Sequence, residues 1–171
     1  LNPSSAASDV YKRQEKVCPS AELLLMFAGR AQHLDQVILP AVQSGRWVLC
    51  DRFTDATYAY QGYGRGMDNG LIAQLEQLVQ ADLRPDLTLI LDIPVEIGLK
   101  RASQRSTPDR FEREQTEFFE RVRQGYLSIA TGSPERCVVI DASQPLEDVQ
   151  RDITGALNDF LAQELSENGR H

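Results

Sequence analysis

Histidine is scarce in this 171-residue chain, and the two present, His33 and His171, lie in a helical stretch and at the chain end. A histidine-based mechanism or a histidine-ligated metal is therefore not expected. Cysteine is also sparse. Cys18, Cys50 and Cys137 are odd in number and far apart, which fits neither a disulfide framework nor a zinc site. Two of them fall in apolar, strand-like runs, so buried reduced thiols in a cytoplasmic protein are expected. Basic residues are outnumbered, 18 against 25 acidic, for a net charge of -7. That balance argues against general binding to nucleic acid or an anionic membrane, so any phosphate must be gripped locally. No apolar run approaches the roughly 20 residues of a membrane span, and no stretch has the charged-then-apolar form of a signal peptide. What remains is a soluble chain, 42% hydrophobic, long enough for one domain with its own core.

Residues 1–14 stand apart. Ser4 to Gln14, SSAASDVYKRQ, is what a transposase sequencing adapter encodes when translated, its end GAT-GTG-TAT-AAG-AGA-CAG reading Asp9 to Gln14. The expectation is a non-biological segment over 1–14 and a single domain over 15–171.

From Ser20, read as an N-cap, the positions Leu23, Leu24, Phe27, Leu34, Val37 and Ile38 have helical spacing. They predict one long helix to about Gln43, disturbed at Pro40. Trp47-Val48-Leu49-Cys50, Leu87 to Leu91 and Cys137 to Ile140 are continuous apolar runs and predict strands buried on both faces. Asp51, Asp92 and Asp141 follow these runs directly. Helices are predicted over about 68–80, 94–103, 112–130 and 145–165. Such alternation predicts an α/β fold, a parallel sheet layered between helices whose ligands bind beyond the carboxyl ends of the strands. Three strands are few for so many helices, so at least one strand is expected to be missing.

An aspartate ending a strand is usually a turn or cap residue. Asp51 is different because Arg52 follows it. A carboxylate able to hold magnesium beside a guanidinium able to grip phosphate bidentately is the pair that phosphoryl transfer needs. Thr57, Tyr58, Tyr60 and Gln61 add hydroxyl, aromatic and amide groups suited to a flat, hydrogen-bonding ligand, and Gly62 to Gly66 is expected to be irregular. Phe27 and Arg30, three residues apart on one helix face, offer a ring to stack on a base and a fork to hydrogen-bond it. Lys100, Arg101, Arg105 and Arg110 surround a loop at about 103–113 that could close over a nucleotide, with Arg105 the leading candidate to stabilise the transferring charge.

LLLMFAGRAQH from Leu23, DRFTDATYAYQGYGRG from Asp51, RPDLTLILD from Arg84, VEIGLKRA from Val95 and DRFE from Asp109 closely resemble bacterial thymidylate kinase in order and spacing, over about Ala21 to Leu165. The resemblance implies a P-loop nucleoside-monophosphate kinase fold and transfer of the ATP γ-phosphate to dTMP, giving dTDP, with Mg2+. It implies that Phe27 stacks on thymine, Arg30 and Thr57 hydrogen-bond it, Arg52 holds the dTMP phosphate, and Tyr60 and Gln61 sit against sugar and base. Asp51 would help hold magnesium, while Arg101, Arg105 and Arg110 would belong to the lid and ATP side, with the loop from Asp141 to Leu146 near adenine. A homodimer is implied for the intact protein, the Ser20 helix being a reasonable interface.

The chain departs from that family pattern in lacking GxxxxGK followed by Ser or Thr, and contains no Gly-Lys dipeptide at all. That loop cradles the ATP phosphates. The expectation is a truncated chain lacking its first strand or strands, inactive as a kinase and poorly soluble. The competing reading is a non-catalytic nucleotide-binding module of the same fold that retains dTMP binding. A kinase for another monophosphate is a third.

Overall fold

The computed structural model describes residues 17–103 and 112–168. The chain divides into two compact units, 1–48 and 49–171.

In the first unit, α1 spans Pro19–His33, a π-helical stretch spans Leu34–Ile38, and α2 spans Leu39–Gln43. Cys18 is the N-cap and Pro19 takes the first turn, where a missing N–H costs nothing. The expected cap at Ser20 is thus corrected by two residues. The predicted long helix is present, but its disturbance starts one turn before Pro40. A proline ring crowds the carbonyl four residues back, here Gln36, and the wider π turn over 34–38 relieves that crowding. Leu23, Phe27, Leu34 and Ile38 are buried at helical spacing.

Residues 46–50 are not a strand. Trp47 is 73% exposed and Leu49 fully exposed, which corrects the expectation of a buried strand there. An apolar run becomes a central strand only when neighbours pair both of its edges and cover both faces. Among the described residues the sheet contains only β1 (Thr88–Asp92) and β2 (Cys137–Asp141). The cysteine expectation also narrows: Cys137 is buried, whereas Cys50 is partly exposed and Cys18 exposed.

The second unit is built on that pair. α3 (Thr54–Thr57) runs directly into a π-helical stretch, Tyr58–Gly64, and is followed by α4 (Asn69–Gln80). Then come β1, α5 (Val95–Ser103), α6 (Glu112–Gly132), β2 and α7 (Leu146–Asn168). β1 and β2 are parallel, with Thr88 opposite Cys137 and Asp92 opposite Asp141. Parallel neighbours require a long crossover, which α5 and α6 supply. Ile90, Cys137 and Ala130 of α6 form a core cluster, with Tyr126 and Ile129 packed against it. Asp68 caps α4 by accepting from the Gly70 N–H at 2.9 Å, as its position before an apolar helical run predicts.

Gly62 to Gly64, expected to be irregular, is the end of the π-helical stretch. Its glycines serve packing. A Cβ on Gly64 would lie 2.7 Å from both Phe118 and Val122 of α6, and Tyr63 presses in return on Gly125 at 2.9 Å from where a Cβ would stand. Gly64→Ala is expected to destabilise the chain by about 1–3 kcal/mol through overpacking. Urea denaturation checks this, and an unchanged midpoint would show that α6 can move aside.

Candidate functional site

The carboxyl ends of parallel strands are where an α/β fold binds ligands. In the second unit a cavity of about 310 Å³ opens there, at the end of β1. Its walls include Tyr60, Asp92, Ile93, Leu99, Phe119, Arg123 and Tyr126. Four pieces of local structure deliver these groups: the end of β1, α5, the π-helical stretch and one face of α6.

Tyr60 comes from the π-helical stretch, where the extra residue in a turn re-aims side chains that an α-helix would place elsewhere. Its ring meets Phe118 and Tyr126 edge-on, at centroid distances of 6.1 and 6.4 Å. The Arg52 guanidinium lies 5.0 Å from the Tyr60 ring centroid, a cation–π contact that leaves its N–H edge for an anion. Arg52 itself has φ 64, a left-handed conformation uncommon for a residue with a side chain. That turn carries the chain from Asp51 into α3. Asp51 and Arg52 are both exposed, while Thr57 and Gln61 are buried. The structure therefore brings Arg52 onto the ring of Tyr60, which lines the cavity, and sets Thr57 and Gln61 into the packed side of the same segment.

Burial, followed by the neighbouring Tyr60, pushes the Tyr126 phenol up to about 12 from its usual 10.0. The fold thus favours the neutral form. Its contribution to stability is complete below pH 10 and falls away as pH climbs toward 12. Tyr126→Phe is expected to flatten the loss of stability between about pH 10 and 12, read from urea midpoints. Parallel losses in the two proteins would contradict this.

Asp92, which the sequence presents only as a strand-end acid, accepts a bidentate pair from Arg123 at 2.7 and 2.8 Å. That hydrogen bond raises the Arg123 pKa, keeping the guanidinium charged at the cavity wall. Sequence reasoning missed Phe119, Arg123 and Tyr126. Their spacing of four and three places them on one helix face, a signal that α6 carries but that does not say what the face meets.

Arg101 donates to the backbone carbonyls of Ala142 and Ser143 at 2.8 and 3.1 Å. This joins α5 to the loop after β2, two segments that the family resemblance places on the ATP side. Asp141 is held below the usual carboxylate range by the hydroxyl, then the backbone N–H, of Ser143. Arg105 and Arg110 lie outside the described residues. In the first unit, Phe27 and Arg30 share a face as expected: the Arg30 guanidinium lies 4.7 Å from the Phe27 ring centroid, and Phe27 is only 2% exposed.

Among the described residues no group of three or more His, Cys, Asp or Glu side chains could hold a metal by itself. No helix among them is long and apolar enough to cross a membrane.

Comparison with known proteins gives one consistent answer. The family description thymidylate kinase matches residues 5–153. A thymidylate kinase of Methylococcus capsulatus is 57% identical over 157 residues, 92% of this chain and 76% of that protein. One from Pseudomonas putida is 60% identical over 147 residues, 86% of this chain and 70% of that protein. The crystal structure of thymidylate kinase from Ehrlichia chaffeensis superposes with a TM-score of 0.69 at 31% identity, over 92% of this chain and 76% of that one. The parallel pair of strands, their crossover and the segment from Asp51 to Gly66 thus belong to a chain that is a member of the thymidylate kinase family.

Proposed function

We propose that this chain carries the acceptor side of a kinase that transfers the ATP γ-phosphate to dTMP, giving dTDP. The observation that carries the reading is Arg52, turned by its left-handed backbone and stacked on the ring of Tyr60, which itself lines the β1-end cavity. A guanidinium held by its face leaves its N–H groups for a terminal phosphate, which they match bidentately. Tyr60 then takes the sugar, where a ribose 2′-hydroxyl would meet the ring and be refused. Thr57 and Gln61 take the base, by their positions in the family pattern.

Asp51 is a single exposed carboxylate, which fits magnesium, an ion usually held by one or two carboxylates with water and substrate phosphates completing its shell. Magnesium would neutralise charge on the transferring phosphoryl group. Arg101 orders the loop from Asp141 to Leu146 on the ATP side, and Arg105 and Arg110 supply the lid. We assign the domain to 15–171, place it in the cytoplasm, and read the protein as a homodimer.

The 171 residues hold no GxxxxGK followed by Ser or Thr. We therefore propose that the polypeptide as it stands binds dTMP without phosphorylating it. A thermal-shift comparison tests the acceptor assignment. dTMP is expected to raise the melting temperature, with UMP and CMP needing at least about tenfold higher concentration for the same shift. Equal shifts by all three would mean a different monophosphate acceptor.

A further inference from the structure

We propose that Asp55 and Arg136 are a positioning pair that sets where the segment Thr54–Gly64 presents Tyr60. This deepens the acceptor reading above and rests on it for its nucleotide. Arg136 donates to both carboxylate oxygens of Asp55, at 2.7 and 2.9 Å, and to the Thr88 hydroxyl at 3.2 Å. The Thr88 N–H in turn donates to the Arg136 carbonyl at 2.7 Å. The two charged side chains are 16% and 14% exposed. Such a bidentate pair is directional as well as strong.

Its placement is what gives it a function. Thr88 and Cys137 begin β1 and β2, so Asp55 is pinned at the amino ends of the strands. Tyr60, five residues on, lines the cavity with Asp92 and Ile93 at the opposite end of β1. Five helical residues advance about 7–8 Å, and β1 spans about 13 Å between Thr88 and Asp92. The segment therefore runs along the sheet, held at one end by the charged node and meeting the cavity further on. Other contacts hold it against helices: Thr54 donates to Gln80, Tyr58 donates to Glu76, and Gly64 packs on α6. Those contacts fix its distance from the helices, whereas the node fixes its advance along the strands. A guanidinium over the Tyr60 ring makes the Arg52 fork sensitive to that advance.

Hydrogen exchange and dTMP affinity, measured on the whole chain, test the pair. Asp55→Asn keeps the shape and removes the charge, and Arg136→Lys keeps the charge and removes the fork. In both, amide protection over 57–62 is expected to fall about tenfold while β1 and β2 amides keep theirs. The dTMP dissociation constant is expected to rise about tenfold with little change in melting temperature. The doubly reversed protein, Asp55→Arg with Arg136→Asp, is expected to regain protection that either reversal alone loses. Unchanged protection over 57–62, or an equal loss throughout the chain, overturns the proposal. A selective loss over 57–62 in a protein that binds no dTMP upholds the positioning and instead removes the nucleotide reading.

Discussion

Residues 1–171, purified and supplied with ATP, magnesium and dTMP, are expected to form no dTDP above background in a coupled assay. The expectation follows from the sequence: no GxxxxGK followed by Ser or Thr occurs in it. In P-loop enzymes that loop contributes several backbone N–H donors, a lysine and a magnesium-binding hydroxyl, all aimed at the donor phosphates. Loss of one preorganised donor at a charge-developing centre commonly costs roughly 10²–10³ in rate. Losing the whole cradle should place turnover at least about 10³-fold below the 1–100 s⁻¹ typical of kinases. Turnover in the ordinary range would mean that another part of the chain grips ATP.

Arg52→Ala should have the next largest effect, this time on binding. A charge-assisted hydrogen-bond pair to a phosphate contributes about 1.5–3 kcal/mol, so dTMP affinity should fall roughly 10- to 150-fold. Thymidine, which has no phosphate, should bind both proteins equally. Arg52→Lys separates charge from geometry, because lysine keeps the charge but cannot offer a planar fork from the face of Tyr60. It should recover only part of the loss. Equilibrium dialysis with labelled dTMP and thymidine reads all of these. Equal losses for thymidine and dTMP would show that Arg52 supports the loop and does not hold the phosphate.

The sequence revealed the elements whose pattern is local. The runs at 88–92 and 137–141 are strands, as their β-branched and aliphatic composition predicts, but Leu91 and Val139 are exposed, so the expected burial on both faces is corrected to partial burial. The helices from α4 onward fall close to their expected limits because caps, proline and apolar spacing agree. Residues 46–50 have the same strand-like composition, yet among the described residues no ladder forms on them. Strand formation depends on neighbours that composition cannot name. The glycines at 62 and 64 misled for a related reason. Gly62 admits Asn69 and Ile72 of α4, and Gly64 admits Phe118 and Val122 of α6, the latter more than fifty positions away, and nothing local distinguishes that from a flexible loop.

The candidate site divides in the same way. Arg52 and Tyr60 lie in one segment with one spacing, and the structure places one over the other. Asp92 with Arg123 and Asp55 with Arg136 are separated by 31 and 81 residues. A charged residue's partner at that separation is set by topology, so both pairs were invisible until the strands were in register. Asp55 stands inside the most informative stretch of the sequence, three residues after Arg52, with no sign of its own purpose.

The most direct test of the acceptor assignment is a crystal structure of the chain with dTMP. The expected result is the nucleotide at the end of β1, its phosphate within about 4 Å of the Arg52 guanidinium and its sugar against the ring of Tyr60. A nucleotide whose phosphate lies away from Arg52, or whose sugar leaves Tyr60 untouched, would contradict the assignment.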